Sequence, residues 1–263
     1  MKIFAIFGDP VAHSRSPLMH NSVFKALHVK AIYTRVHLKD GTKLKETFLN
    51  LGLSGANITV PHKEAAFNAC DEVRGFAKKI GVVNTLINEN GRLIGYNTDA
   101  DGFMFAIRNF LHVKNILLIG AGGTAKALAN KFIDEGFHVT VLNRSKNRLA
   151  YFENLGLTCK TWETIETKEY DLIVNTTSAG LEDDNYPAPL EILTPLLKQA
   201  RYSADAIYGK VTPFLKLSNE LGLTCKDGAD MLLGQGVLAN DYFTDHTLDK
   251  NKIEKEMQKS FLY

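Results

Sequence analysis

The stretch Ile116-Leu117-Leu118-Ile119-Gly120-Ala121-Gly122-Gly123-Thr124-Ala125 runs from four apolar residues straight into glycines. The apolar run predicts a short buried strand, and Ala125 to Phe132 predicts a helix. Strand, glycine turn and helix in this order form the context that a dinucleotide-binding fingerprint requires. Gly120 permits a tight turn, Gly122 lets backbone approach a pyrophosphate, and Ala125 lets the helix pack on the strand. Exposed N–H groups and the dipole at the helix start favour an anion there. An ordinary βα turn would share the glycines, so the flanking elements carry the nucleotide-binding reading.

A second strand, Val139-Thr140-Val141-Leu142, is expected after Gly136. The residue at its end, about 20 positions past the first glycine, usually meets the adenosine ribose. An NAD enzyme would place Asp or Glu there. This chain reads Asn143-Arg144-Ser145-Lys146-Asn147-Arg148, with cations and no carboxylate. A 2′-phosphate is repelled by a carboxylate and clamped by guanidinium groups. The segment therefore points to NADP rather than NAD, through Asn143, Arg144, Ser145 and Arg148. A solvated basic turn is the plainer alternative.

A length of 263 residues suits two modest domains or one large one. A hydrophobic content of 45% with a mixed surface predicts a globular protein. A net charge of +2, without a long basic stripe, argues against nucleic acid as a main partner. Cys70, Cys159 and Cys225 are scattered without CxxC spacing, which fits a reducing compartment and no disulfide framework. The histidines form no HExxH or Cys/His pattern, so no metal site is expected. The apolar run Ile3 to Phe7, ended by Gly8-Asp9-Pro10, is too short for a signal h-region and reads as a first strand. No segment approaches membrane-spanning length, and the expected location is the cytoplasm.

About 100 residues precede the fingerprint and must fold around a core of their own. Strand signals at Ile3–Phe7, Ile32–Leu38 and Ala56–Val60 alternate with helical stretches near Pro17–Leu27, Lys43–Leu51 and Glu64–Ala69. This alternation implies an α/β layer with largely parallel strands. A hairpin is expected from Gly81–Ile87 and Arg92–Tyr96, turning at Asn90-Gly91. A helix from about Asp101 to Phe110 bridges to the nucleotide-binding part. Later strands are expected at Asp171–Asn175 and Ser203–Ile207, and helices around Pro213, over Met231–Phe243 and from Leu248. No internal repeat stands out. Two α/β domains are expected, with a ligand cleft between them.

Several polar residues stand where a core would not put them. Ser16 before Pro17 is a natural N-cap with proline at the first helical position. Capping does not explain Ser14; two hydroxyls at a helix start make a cradle for a small carboxylate. In Asn57-Ile58-Thr59-Val60, the period of two puts Asn57 and Thr59 on one face, just before Lys63. That face reads as a hydrogen-bonding wall, or as a half-solvated strand with a surface lysine after it. Asn84 interrupts the apolar run Val82-Val83, and Thr98 or Asp99 could simply cap the next helix. Together these groups cluster at successive strand ends, where open α/β sheets place ligands.

In combination these segments resemble the shikimate dehydrogenase family over nearly the whole chain. The matching pieces are HSRSP (13–17), NITVPHK (57–63), GVVNT (81–85), GYNTDADG (95–102), GAGGTAKA (120–127), NRS (143–145), NTTSAG (175–180), DAIY with TPFL (205–208 and 212–215) and DGADMLLGQG (227–236). The resemblance implies NADPH-dependent reduction of 3-dehydroshikimate to shikimate, on the route to aromatic amino acids. It implies a substrate domain at 1–100 and a Rossmann-type NADP domain at 101–236. The segment 237–263 is expected to return as helices to the first.

Carried over by position, the resemblance implies that Ser14 and Ser16 hold the substrate carboxylate, with Tyr208 nearby. Thr59, Asn84, Asp99 and Gln235 would hold ring hydroxyls, and Asn57 would line the wall. Lys63 and Asp99 would be the catalytic pair. Gly120, Ala121, Gly122, Gly123, Thr124, Asn143, Arg144, Ser145, Arg148 and Gly228 would contact NADP, with Thr177 and Ser178 on the nicotinamide side. The chain departs from the family where a proline often follows the tyrosine of DxxY by two residues; here that position is Lys210. The spacing to TPFL is also one residue short.

Hydride transfer to a carbonyl leaves negative charge on oxygen, and a donor aimed there is the strongest lever a protein has. Lys63 is expected to stabilise and protonate that oxygen, with Asp99 orienting it and binding a hydroxyl. The expected partner is therefore a small molecule, with neither nucleic acid nor membrane, in a monomer or homodimer. Alternatives are an NAD-using quinate/shikimate dehydrogenase, a non-catalytic NADP sensor, and the related methylene-tetrahydrofolate dehydrogenase fold. The last lacks an HSRSP segment.

Overall fold

The computed structural model describes residues 1–262. It divides into two units: Met1–Gly102 with the chain from Leu233 onward, and Phe103–Leu232. The first unit runs β1 (Lys2–Gly8), α1 (Ser16–Ala26), β2 (Ala31–His37), α2 (Leu44–Asn50), β3 (Gly55–Ile58) and α3 (Lys63–Ala69). It continues through β4 (Glu72–Val73), α4 (Phe76–Ile80), β5 (Thr85–Glu89) and β6 (Arg92–Tyr96). The strands form one sheet in the order β2-β1-β3-β5-β6-β4. β1 is an inner, apolar strand that buries both faces, as inner strands of such sheets do. Ala5 and Phe7 join one core with Phe48 and Leu86, while Phe4 and Ile6 join the other with Phe24 and Phe243.

Strand direction in this sheet decides where polar groups collect. β5 is antiparallel to β3 and β6, and every other neighbouring pair is parallel. The amino end of β5 therefore lies on the same sheet edge as the carboxyl ends of β1, β3 and β6. Residues 14–16, 59–63 and 97–99 follow those carboxyl ends, and residue 84 immediately precedes β5.

The second unit begins within α5 (Asp99–Ile107) and contains β7 (Asn115–Ile119), α6 (Gly123–Asp134), β8 (His138–Leu142), α7 (Ala150–Asn154) and β9 (Thr158–Lys160). Then come β10 (Leu172–Asn175), α8 (Leu190–Leu197), β11 (Tyr202–Asp205), α9 (Pro213–Glu220) and β12 (Thr224–Lys226). Its sheet is all parallel, in the order β12-β11-β10-β7-β8-β9. The order reverses between β7 and β10, and the carboxyl ends flanking such a switch point are where α/β sheets hold ligands. Ile116 and Leu118 pack under α6 residues Ala125, Leu128 and Phe132. Leu117 and Ile119 face Leu193, Leu197 and Phe214 on the other side.

Helix α10 (Gly228–Phe243) leads the chain back to the first unit, and α11 (Lys250–Lys259) follows. Ile253 and Met257 of α11 are fully buried. A Cβ on Gly236 would meet Met19 Cε at 2.8 Å and Met257 Sδ at 3.3 Å, so glycine lets α10 approach both α1 and α11. Among the described residues no helix is long and apolar enough to cross a membrane.

Several sequence expectations are corrected. Residues 81–84 are not strand: α4 ends on Gly81 in the left-handed region (φ +68°), and β5 starts only at Thr85. The bridging helix is Asp99–Ile107 rather than 101–110. The expected strand 203–207 stops at Asp205, because its side chain accepts from the Ile207 N–H and turns the chain. A repeat does exist. Leu155-Gly156-Leu157-Thr158-Cys159-Lys160 recurs as Leu221-Gly222-Leu223-Thr224-Cys225-Lys226. Each copy turns on a positive-φ glycine (Gly156 +76°, Gly222 +85°) into a three-residue strand at an edge of the second sheet.

The first unit also buries His20, stacked on Tyr33 with ring centroids 4.4 Å apart. Burial pushes its imidazole down to about 3, against an ordinary value of 6.5. The unfolded chain therefore binds this proton, and the folded chain does not, between pH 6.5 and about 3. Stability from this group is full above pH 6.5 and falls as the pH drops, by at most about 1.4 kcal/mol per unit. Urea titrations from pH 7 to 4.5 should show a shallower acid loss in His20→Gln than in the parent. Equal slopes would mean that the folded chain protonates His20 freely.

Candidate functional site

The first unit gathers its candidate groups along the sheet edge described above. Lys63 opens α3 and Asp99 opens α5. Lys63 Nζ donates to Asp99 Oδ2 at 2.6 Å, with side chains only 18% and 10% exposed. The surface-lysine reading is thus excluded. The capping reading of Thr98 and Asp99 is replaced as well. The Thr98 hydroxyl pairs with the Asn84 side chain, and the Asp99 carboxylate is held by Lys63.

A buried network sets this pair in place. Asn84 Oδ1 accepts from the Thr98 N–H at 2.9 Å and the Thr85 hydroxyl at 2.9 Å, and its Nδ2 donates to Thr98 Oγ1. Asn97 Oδ1 accepts from the Asp99 N–H at 3.1 Å. Asn57 accepts from the Tyr33 hydroxyl at 2.7 Å and donates to Thr85 Oγ1 at 3.2 Å. Asn57 is therefore fully engaged inside the wall, and burial raises the Tyr33 phenol well above its ordinary range. Neither Tyr33 nor Thr85 is among the site residues that the sequence points to. Their only signal was a polar group in an apolar strand, which looks the same in any half-buried sheet.

Thr59 stands beyond the end of β3, where its methyl fills the space a Cβ on Gly8 would take, 2.4 Å away. Ser14 and Ser16 are both buried, and the Ser14 hydroxyl lies 3.3 Å from that of Ser16. Ser16 does not cap α1. The helix starts at Ser16 itself, and Ser14 Oγ instead accepts from the Ser16 N–H at 3.3 Å. Arg35 fixes this loop by donating to the Ser14 carbonyl at 2.6 Å. Gln235 is buried on α10. Tyr208 belongs to the second unit, in the loop after β11.

The second unit carries a cavity of about 750 Å³ over the carboxyl ends of β7, β8 and β10. Small-molecule sites usually measure about 300–1,000 Å³. Gly120, Ala121, Gly122, Asn143, Arg144, Arg148, Thr177 and Ser178 all line it. Gly120 needs its positive φ (+113°), and a Cβ there would meet Thr176 Oγ1 at 2.6 Å. A Cβ on Gly122 or Gly123 would meet nothing within 4 Å, so the start of α6 stays open to a ligand. Arg144 and Arg148 are exposed, and neither makes an ion pair among the described residues. Bare donors at a helix start and unpaired guanidinium groups fit a phosphorylated dinucleotide.

Four expected cofactor residues do not line the cavity: Gly123, Thr124, Ser145 and Gly228. Ser145 shapes the turn, its carbonyl accepting from Asn143 Nδ2 at 2.9 Å. Gly228 answers a packing need, since a Cβ there would lie 2.4 Å from the Ala206 carbonyl oxygen. Conversely, Trp162 and Tyr186 line the cavity unforeseen. Trp162 follows β9, a strand too short for its pattern to show. Lys210, in place of the family's proline, donates to the Leu181 carbonyl at 3.2 Å. No group of three or more His, Cys, Asp or Glu side chains that could hold a metal lies among the described residues.

Residues 6–86 match the family model for the shikimate dehydrogenase substrate binding domain. Residues 105–181 match the model for shikimate / quinate 5-dehydrogenase. The chain belongs to the shikimate dehydrogenase family. It is 43% identical over 261 residues to shikimate dehydrogenase (NADP(+)) of Helicobacter hepaticus, covering 98% of this chain and 97% of that one. The Geobacillus sp. shikimate dehydrogenase (NADP(+)) is 36% identical over 270 residues, with 97% and 96% covered. Among solved structures, shikimate 5-dehydrogenase of Thermus thermophilus in complex with NADP(H) and shikimate superposes with a TM-score of 0.86. It is 35% identical, and 99% of this chain and 100% of that one are covered. The two family models fall one in each unit of the fold.

Proposed function

We propose that this chain catalyses the reversible NADPH-dependent reduction of 3-dehydroshikimate to shikimate. The observation that carries the reading is the enclosed Lys63–Asp99 ion pair at 2.6 Å. It lies at a sheet edge furnished with hydroxyl and amide groups. A ketone reduced to an alcohol develops negative charge on its oxygen, which must then take a proton. When bound, NADPH supplies the hydride. The Lys63 ammonium donates to the substrate oxygen as charge grows, and passes it the proton. Asp99 aims the ammonium through Oδ2 and leaves Oδ1 for a ring hydroxyl. In the oxidative direction Lys63 takes the proton back.

Ser14 and Ser16 serve the substrate carboxylate with their hydroxyl donors. Thr59, Asn84 and Gln235 serve the ring hydroxyls, while Asn57 stiffens the wall behind them. Gly120 to Gly122 cradle the pyrophosphate, Arg144 and Arg148 clamp the 2′-phosphate, and Thr177 and Ser178 face the nicotinamide half. The assembly is a monomer or a homodimer. Three free cysteines fit a reducing, cytoplasmic setting.

The test is a turnover assay of the purified chain with 3-dehydroshikimate and each reduced nicotinamide cofactor. Substrate-dependent loss of NADPH absorbance, much faster than that of NADH, is expected. Faster NADH turnover would favour the NAD-dependent quinate/shikimate alternative. Binding of NADPH without turnover would leave a sensor.

A further inference from the structure

Asp205 opens the Asp-Ala-Ile-Tyr segment, yet the chemistry above gives it no task. Its side chain is 1% exposed, at the carboxyl end of β11 beside Asn175 at the end of β10. Three donors converge on the carboxylate. Asn175 Nδ2 lies 3.1 Å from Oδ1 and 3.2 Å from Oδ2, the Thr212 hydroxyl 2.7 Å from Oδ2, and the Ile207 N–H 3.0 Å from Oδ1. Burying a carboxylate is costly unless hydrogen bonds compensate it. Burial indeed pushes this carboxyl up, against the pull of those three donors.

The partners of Asp205 each hold a different loop. Asn175 Oδ1 accepts from the Thr177 N–H at 2.9 Å and the Thr177 hydroxyl at 2.8 Å. The Thr177 hydroxyl then accepts from the Ala179 N–H at 3.2 Å. Thr212 caps α9 by accepting from the Leu215 N–H at 3.2 Å, and so ends the loop that bears Tyr208. The two loops also touch, since a Cβ on Gly180 would lie 3.1 Å from Thr212 Cβ. Thr177 lines the cavity on the β10 side of Gly120, whereas Arg144 lines it on the β8 side. A dinucleotide spanning the switch point with its phosphorylated adenosine at Arg144 lays its other half against Thr177.

We propose that Asp205 is a positioning residue: through Asn175 and Thr212 it fixes the Thr177 and Tyr208 loops as one body at the nicotinamide end of the NADP site. This rests on the reading of the cavity as that site. An asparagine at 205 has nearly the same shape but presents an NH₂ where only donors surround it. Asp205→Asn releases Asn175 or Thr212, and with it one loop.

The experiment compares two probes. NADPH spans the whole site, whereas 2′,5′-ADP carries only the phosphorylated adenosine end. Asp205→Asn is expected to weaken NADPH about 10-fold, as loss of a hydrogen bond to a charged group does, and to leave 2′,5′-ADP unchanged. If Asp205→Asn does not fold, Thr212→Val and Thr212→Ser provide the test. Valine should weaken NADPH selectively, and serine should restore it. Equal weakening of both probes, or none, overturns the proposal. Failure of 2′,5′-ADP to bind the parent chain instead overturns the cofactor reading beneath it.

Discussion

Lys63→Ala is expected to lower kcat by about 10²- to 10⁴-fold and to move the KM for 3-dehydroshikimate only a few-fold. The size follows from what is removed. Loss of one preorganised donor to a developing oxyanion costs about 10²- to 10³-fold, and loss of a general acid costs about 10²- to 10⁴-fold. In the proposed mechanism Lys63 supplies both, so the two effects overlap rather than multiply. The ground-state ketone accepts weakly from an ammonium, and the alkoxide accepts strongly, which is why the loss appears in kcat. Alanine also leaves Asp99 without its partner in an enclosed position. Thermal stability should therefore fall, and kinetics belong well below the new midpoint. Asp99→Asn should act on both constants, because in the proposed mechanism Asp99 aims the ammonium and also meets the substrate. Steady-state rates with saturating NADPH decide the matter. A kcat in Lys63→Ala within a few-fold of the parent would remove lysine from the proton path.

The parts of this fold that show in the sequence are those whose signal is local. β7, the glycine turn and α6 lie in 20 consecutive residues, from Asn115 to Asp134, and need no distant partner to be read. The break of β11 at Asp205 and the start of β5 at Thr85 depend on side-chain hydrogen bonds and on a left-handed glycine, which periodicity does not register. β9 and β12 were invisible because three residues are too few for an alternation. The six-residue repeat was the available signal: one glycine turn, used twice, ends the sheet at each side.

The site divides in the same way. The glycine turn and the basic segment that line the cavity each sit on contiguous sequence, so Arg144 and Arg148 could be named from a strand end and a missing carboxylate. Lys63 and Asp99 lie 36 residues apart. Nothing in spacing alone joins them; the antiparallel placement of β5 between β3 and β6 does. Tyr33 and Thr85, which hold Asn57 and Asn84, became apparent only once that sheet order was known.

Arg144→Ala should weaken NADPH by about 10- to 100-fold while leaving NADH within about two-fold, because a charge-assisted contact to phosphate contributes about 1.5–3 kcal/mol. The side chain is well placed for a clean result. It is exposed, it makes no ion pair among the described residues, and it borders the cavity beside Asn143. Surface substitutions of that kind leave folding nearly unchanged, so a change in cofactor constant is not secondary to unfolding. Arg148→Ala should act in the same direction, and the double variant should approach equal use of the two cofactors. Arg144→Lys should recover only part of the loss, since an ammonium keeps the charge but not the two-pronged donor geometry. Added salt should erode the preference for NADPH in the parent more than in Arg144→Ala, because an exposed phosphate clamp is screened. Equal losses for NADPH and NADH would instead assign Arg144 to the part of the cofactor that both share, and the 2′-phosphate would need another partner.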